Sequence, residues 1–307
     1  MGAIKSTGLT AAGIRSELFE QMRMKVSHFA ALSTRIESNK DSETYKRFGT
    51  VPQVREWGTG RKTQGQIVES YNVANLKYEL TLEVDRDEID DDQTGQIRIR
   101  IGEMATRAAT HKDYLIGQLL INGGTSGYNS YDGVSFFNDA HVSGASGSQD
   151  NDLAPAASDA DAPTTDEFKR ALATAIEVMM AYRDDQGEPA ADSVSGLACI
   201  VPPNMYFTAL EAVNASVIST TSNVLVGVAN VTSFPYLTAT DTFYLAKTDG
   251  YIRPFMFQDR APWEYNALVE DSEEGFKREK YLYGLRARYR MTYGEWRFCI
   301  RNVFAAS

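Results

Sequence analysis

The groups in this chain that could do chemistry are three histidines, two cysteines and many carboxylates. His28, His111 and His141 stand far from one another and from Cys199 and Cys299, whereas imidazole and thiolate metal ligands recur at short fixed intervals. No glycine-framed serine forms a nucleophile elbow. His141 follows Asn138, Asp139 and Ala140, which gives it carboxylate company, but no serine or reactive cysteine pairs with it as a triad. Local order of its loop is the expected role. His111 falls at the edge of a helical apolar stripe and reads as a packed or rim residue. The acidic run from Arg86 to Asp92 lacks the turning glycine and ligand spacing of an EF-hand loop. Gly123-Gly124-Thr125-Ser126-Gly127 lacks the Gly-Lys-Ser/Thr ending of a phosphate cradle and follows a helix instead of preceding one. Some carboxylate pair could act as acid and base, but nothing singles one out. The expectation is no catalytic residue, no metal site and no cofactor.

Contact chemistry is better represented. Between Tyr45 and Tyr71, glycines and charges surround a lone tryptophan, and no helical period holds, which predicts an extended hairpin with a mobile, polar tip. Trp57 among Arg55, Glu56, Arg61 and Lys62 is either a contact anchor, since Trp and Arg concentrate in interface cores, or a ring tucked against its own domain.

The elements that must carry these residues are legible from periodicity. The longest is a helix over residues 93–122, where Ile97, Ile101, Met104, Ala108, Leu115 and Leu119 fall in one stripe. Asp90, Asp91 and Asp92 precede it, suiting the positive end of its dipole, and Asn122-Gly123-Gly124 offers a left-handed exit. At ~1.5 Å per residue it spans about 40 Å, a brace for something large. Upstream, Ala11, Ile14, Leu18, Met22, Val26 and Phe29 fall at a loose three/four spacing broken by charges and predict an amphipathic helix or arm lying on the body or on a neighbouring subunit. Leu76, Tyr78, Leu80, Leu82 and Val84 alternate with charges, as in an antiparallel strand with one wet face. After Gly124 a Gly/Ser/Asp-rich stretch runs to about Pro163 around the island Tyr131 to Phe137, the composition of a functional or mobile loop. Thr164 and Glu167 form a capping box before the apolar face Phe168, Leu172, Ala175, Ile176 and Met179. A buried strand over 196–201 and a helix from Met205 to Val213 follow, so that 164–235 alternates helix and strand like an α/β unit. Thr248-Asp249-Gly250 signals a hairpin between Phe243–Ala246 and Tyr251–Phe257. Tyr281 to Met291 alternates with Arg286, Arg288 and Arg290, and Trp296, Phe298 and Ile300 alternate back after a turn. These arginines are expected to face Glu79, Glu83 and Asp85 across adjacent strands, with Arg288 answering Glu83.

The chain has 307 residues and a formal net charge of -10, enough for two or three packed units and an unfavourable balance for gripping duplex DNA or an anionic membrane. Cys199 and Cys299 lie in apolar runs and read as reduced, buried thiols. No secretory signal or membrane-spanning run is evident, which predicts a soluble, intracellular protein.

Tyr45 to Trp57, the strand ending Val84-Asp85-Arg86-Asp87-Glu88-Ile89, the island Tyr131-Asp132-Gly133-Val134-Ser135-Phe136-Phe137 with His141 behind it, and Leu237 to Leu245 resemble the Mu-like prophage major head subunit family. The likeness runs from about Phe29 to Val303, with Ala140-His141-Val142 where an Asp-His-Pro-like run is usual. It implies the α+β Hong Kong 97-type phage-capsid fold: an N-terminal arm (1–44), an E-loop (45–74), a peripheral domain (75–163 and 236–307) with a spine helix (93–122), and an axial domain (164–235). It also implies that Arg55, Glu56, Trp57, Arg61 and Lys62 sit at an assembly interface in the E-loop. The implied protein is not an enzyme. It is a major head protein that assembles with copies of itself into pentamers and hexamers, in the bacterial host cytoplasm, to become part of the virion. Portal, decoration and scaffolding proteins are implied partners, with double-stranded DNA packaged inside without sequence-specific binding and no membrane partner. Other functions consistent with the residues are an encapsulin-like nanocompartment shell, a hydrolase using loop carboxylates with His141, and a β-rich tail or adhesion protein.

Overall fold

A computed structural model describes residues 11–48, 68–90, 95–218, 220–270 and 272–306. The chain opens with α1 (Ala11–Met24), the short α2 (Phe29–Leu32) and β1 (Ser33–Glu37). Next come β2 (Ser42–Phe48), β3 (Val68–Ala74), β4 (Leu76–Asp85), α3 (Arg86–Asp90) and α4 (Gln96–Asn122). The middle holds β5 (Asp152–Leu153), β6 (Ala156–Ala157), α5 (Thr165–Ala181), β7 (Leu197–Val201), α6 (Tyr206–Asn214), β8 (Val217–Ile218), β9 (Thr221–Ser222) and β10 (Ala229–Ser233). The last part is β11 (Thr242–Lys247), β12 (Phe255–Leu268), α7 (Glu273–Arg278), β13 (Lys280–Tyr293), β14 (Cys299–Val303) and β15 (Ala305–Ala306).

Two sheets organise the body. A four-stranded sheet runs β1-β12-β13-β4 and a five-stranded one runs β10-β7-β11-β14-β5. On β13 the apolar positions alternate inward as a period of two requires, and Tyr281, Tyr283, Leu285, Ala287 and Tyr289 are all buried; on β4 Val84 is buried, Tyr78, Leu80 and Leu82 are half-buried and Leu76, at the strand's start, is exposed. α4 lies across both cores. Its first half packs Ile97, Ile101, Met104 and Ala108 with Ile14 and Leu18 of α1 and Val84 of β4, so the N-terminal helix lies on the body. Its second half buries Ile116 and Leu120 in the larger core with Phe136, Phe168, Leu245, Trp296 and Ile300. Leu115 and Leu119, expected in the stripe, are only partly buried. A helix that crosses from one core to another must turn a different face to each, so a single stripe cannot describe it.

Other expectations are revised by position. α4 begins after Gly95, whose φ is 71°, and Gly123 exits with φ of −61°, so no left-handed turn is needed there. What Gly123 provides is room: a Cβ on it would lie 2.7 Å from the Phe137 ring. The Thr248-Asp249-Gly250 turn joins no hairpin, because β11 belongs to the five-stranded sheet and β12 to the four-stranded one. It is held instead by Asp249, which accepts from Ser195 Oγ at 2.5 Å and pairs with Lys247 Nζ at 2.9 Å. The return after β13 likewise changes sheet, through a tight turn at Trp296–Phe298. Arg286 does stand opposite Glu79, but Arg288 stands opposite Lys77, Lys280 is the partner of Glu83, and Arg288 reaches Asp41. The antiparallel register fixes these neighbours, and it puts Glu83 beyond Arg288.

Candidate assembly surface

The β2/β3 hairpin pairs from Ser42 opposite Ala74 to Phe48 opposite Val68. Arg55, Glu56, Trp57, Arg61 and Lys62, expected on its tip, lie outside the described residues. What the structure does describe is how the stem meets the body. Gln258 of β12, fully buried, accepts from Tyr45 Oη at 2.6 Å through Oε1. Its Nε2 donates to Asn75 Oδ1 at 2.7 Å and to Val73 O at 3.3 Å. Asn75 Nδ2 in turn donates to Ser38 Oγ at 2.9 Å and Lys40 O at 2.8 Å. Glu43 accepts the Asn39 and Lys40 backbone N–H groups, and these bonds hold its carboxyl below the usual range. Burial pushes the Tyr45 hydroxyl up to about 12. Apart from Tyr45, within the predicted hairpin, none of these anchors is legible in the sequence. Gln258 is remote from the strands it holds, and the only local sign is Asn75, a non-β residue between two strands.

The stretch after α4, expected as a functional or mobile loop, is pinned into the core. Phe136 stacks on Tyr293 with ring centroids 4.4 Å apart, and Asn151 Nδ2 donates to the carbonyls of Phe136, Trp296 and Cys299 at 2.9, 3.3 and 3.1 Å. His141 is fully buried and stacks on Trp296 at 4.1 Å and 9°. Its Nδ1 meets Asp132 Oδ2 at 2.5 Å and its Nε2 lies 3.2 Å from Phe136 O, so both ring nitrogens face acceptors. The partner is Asp132, on the island, and not the neighbouring Asp139. A ring sealed and engaged on both sides has no route to a substrate, which removes the hydrolase. Beside it Arg297 pairs with Glu295 at 2.9 Å, both buried, while Tyr131 Oη donates to the same carboxylate at 2.9 Å.

His111 Nδ1 lies 2.5 Å from Tyr289 Oη, half-buried among aromatic rings, and burial lowers its pKa. His28 sits at the start of α2, where its backbone N–H donates to the buried carboxylate of Asp113 on α4 at 3.0 Å. Cys199 and Cys299 are free and buried, and burial pushes the Cys199 thiol up to about 12. Among the described residues no group of three or more His, Cys, Asp or Glu side chains could hold a metal, and no helix is long and apolar enough to cross a membrane.

The family model described as "Mu-like prophage major head subunit gpT" matches residues 9–164 and 238–303. The major capsid protein of Escherichia phage Mu is 33% identical over 115 residues, 38% of this chain, and the match spans only 37% of that relative's length. Among solved structures, the mature capsid of bacteriophage PhiM1 superposes with a TM-score of 0.60 at 11% identity, covering 92% of this chain and 89% of that one. The procapsid of bacteriophage JBD30 gives 0.53 at 20% identity, covering 95% and 74%. At such identities the likeness is one of fold. The chain belongs to the Mu-like prophage major head subunit gpT family, a family of structural subunits and not of enzymes, and its mixed α and β architecture is the Hong Kong 97-type phage-capsid fold.

Proposed function

We propose that this chain is the major head subunit of a tailed bacteriophage or prophage, the repeated unit of an icosahedral shell enclosing double-stranded DNA. The observation that carries this is the family match on both flanks of the chain together with a capsid fold over nearly all of it. The family match skips 165–237, close to the block 164–235, which supports that block as an axial domain grouped around capsomer centres. The arm is then 1–44, the E-loop 45–74, and the peripheral domain 75–163 and 236–307, with α4 as its spine. Copies of the chain form pentamers and hexamers in the host cytoplasm, and the hairpin lies over a neighbour, with Trp57 as its anchor and Arg55, Glu56, Arg61 and Lys62 around it. Portal, scaffolding and decoration proteins complete the head. An acidic subunit, with net charge -10, keeps its grip on packaged DNA weak, since binding to phosphates scales with the cations that neutralise them.

The experiment is sizing of the purified protein by light scattering, followed by electron microscopy. Shells are expected, and a small defined oligomer at every concentration would return the chain to a tail or adhesion role. Deleting residues 57–62 is expected to leave a folded subunit that makes no stable shells. Normal-sized particles from that deletion would sink the E-loop assignment.

A further inference from the structure

β12 carries two register irregularities against β13, one between Asp259 and Ala261 and one between Ala261 and Glu264. A bulge re-aims the side chains around it, and Pro262, which has no N–H to give to a ladder, sits inside the second. The two faces are used differently. Trp263 turns to the spine helix, its Nε1–H donating to Ala108 O at 3.2 Å. On the other side Arg260, Arg286 and Arg288 line, with Glu264, an open cavity of about 370 Å³. Among the described residues the Nε–H groups of Arg260 and Arg288 are buried and have no hydrogen-bond partner. Buried donors are nearly always satisfied, so two arginines that line one cavity and each keep an unpaired Nε–H among the described residues mark a place short of acceptors.

We propose that this basic notch receives a carboxylate side chain from a second copy of the chain. A planar guanidinium presents donors in the fork that a carboxylate matches. One carboxylate is already held at its edge, where Arg288 Nη2 donates to Asp41 Oδ1 at 2.7 Å. That bond, with smaller contributions from Arg260 and Lys77, keeps the exposed Asp41 carboxyl below its ordinary value. Acidic groups interrupt the notch on each side: Glu79 opposite Arg286 in register, Glu264 in the lining and Asp41 at the edge. A phosphate backbone needs a continuous run of cations and is repelled by such neighbours, whereas a single carboxylate fits between them. Copies of this chain also offer acid in excess, with 41 Asp and Glu against 31 Lys and Arg, so a cluster of three arginines is opposite in sign to the net charge of a second copy.

This inference rests on the reading of the chain as a self-assembling subunit, and the test separates the two. Arg286→Glu, at an exposed position between Glu79 and Glu264, is expected to lower the thermal stability of the subunit slightly through these like-charge neighbours, leaving it folded, and to raise the protein concentration needed for assembly by about tenfold or more. In a second arm, Arg286→Lys subunits in two isotope labels are mixed, assembled and treated with a carbodiimide, which joins the introduced amine to a touching carboxylate as an amide with loss of water. Coupling between differently labelled copies supports the notch and identifies its acid. Coupling only within one copy overturns it, as does normal assembly of Arg286→Glu. Intact shells that have lost nucleic acid assign the notch to phosphates and overturn it too. A wild type that remains monomeric refutes both inferences, whereas an assembling wild type with an unaffected Arg286→Glu refutes the notch alone.

Discussion

The hairpin of β2 and β3 and the stretch of residues 123–163 are both long excursions from the sheets, and they are anchored in opposite ways. The hairpin is held at its base, by a polar knot of Ser38, Asn75, Gln258 and Tyr45 in which Gln258 is the one fully buried side chain. The other stretch is fastened along its length, by Phe136, Phe137, His141 and Asn151, all buried. Composition misreads the second. The Gly/Ser/Asp-rich segment is part of the core because a few large or multivalent side chains reach through it. A segment's order is set by what its rare residues touch, since each buried polar group must find partners and each buried ring removes ~1.5–3 kcal/mol worth of apolar surface from water.

That contrast is most exposed to test at Trp296, which stacks on His141 and lies fully inside the core. Trp296→Ala is expected to destabilise the subunit by about 3–5 kcal/mol, through the transfer and cavity terms of a large buried ring. Denaturant titration of the unassembled subunit measures it. A loss below 1 kcal/mol would mean that the loop closes without its aromatic floor. Next in size is Asp132→Ala, which leaves His141 Nδ1 buried without its hydrogen-bond partner and is expected to lose roughly 2 kcal/mol, the cost of a buried polar group left unpaired. Proteolysis should then open the 123–163 stretch before the sheets. Cleavage elsewhere first would contradict its dependence on this pair.

Much of the scaffold for both regions was legible in the sequence, and the failures share a cause. Strands with strict alternation, Leu76 to Val84 and Tyr281 to Met291, and the capped helix with Phe168, Leu172, Ala175, Ile176 and Met179 inward, were recoverable because period and burial are local properties. Which sheet a strand joins is not local. Thr248-Asp249-Gly250 looks like a hairpin turn whether the next strand returns beside the first or crosses to another sheet, and here it crosses. The same limit hid Asp132 as the partner of His141, Gln258 as the anchor of the hairpin, and Asp41 as the acid on Arg288.

At the hairpin base the expected effect is smaller and local. Gln258→Leu removes a donor to Val73 O and Asn75 Oδ1 and an acceptor from Tyr45, and is expected to lose about 1–2 kcal/mol. Hydrogen exchange should rise in β2 and β3 while the amides of α4 keep their protection. Uniform loss of protection throughout the subunit would show instead that the stem is an integral part of the core, and the contrast with the 123–163 stretch would collapse.

The gentlest probe acts on the exit of that stretch. Glu167 accepts from the backbone N–H of Thr164 and of Ser158, both at 2.8 Å, tying the end of the loop to the first turn of α5. These bonds, led by the one from Thr164, hold its carboxyl at about 2 against an ordinary 4.5. Because the folded value is the lower one, the carboxylate favours the folded arrangement fully above pH 4.5, and that support is lost as pH falls through about 2. Amide exchange at Ser158 and Thr164, followed by NMR, should therefore accelerate relative to the α5 interior across this acid window. In Glu167→Ala the same amides should exchange faster at neutral pH and show no further relative change on acidification. A variant that keeps the wild-type acid dependence would place the titration elsewhere and leave the loop's exit held by Thr164 and the packing of Phe168 alone.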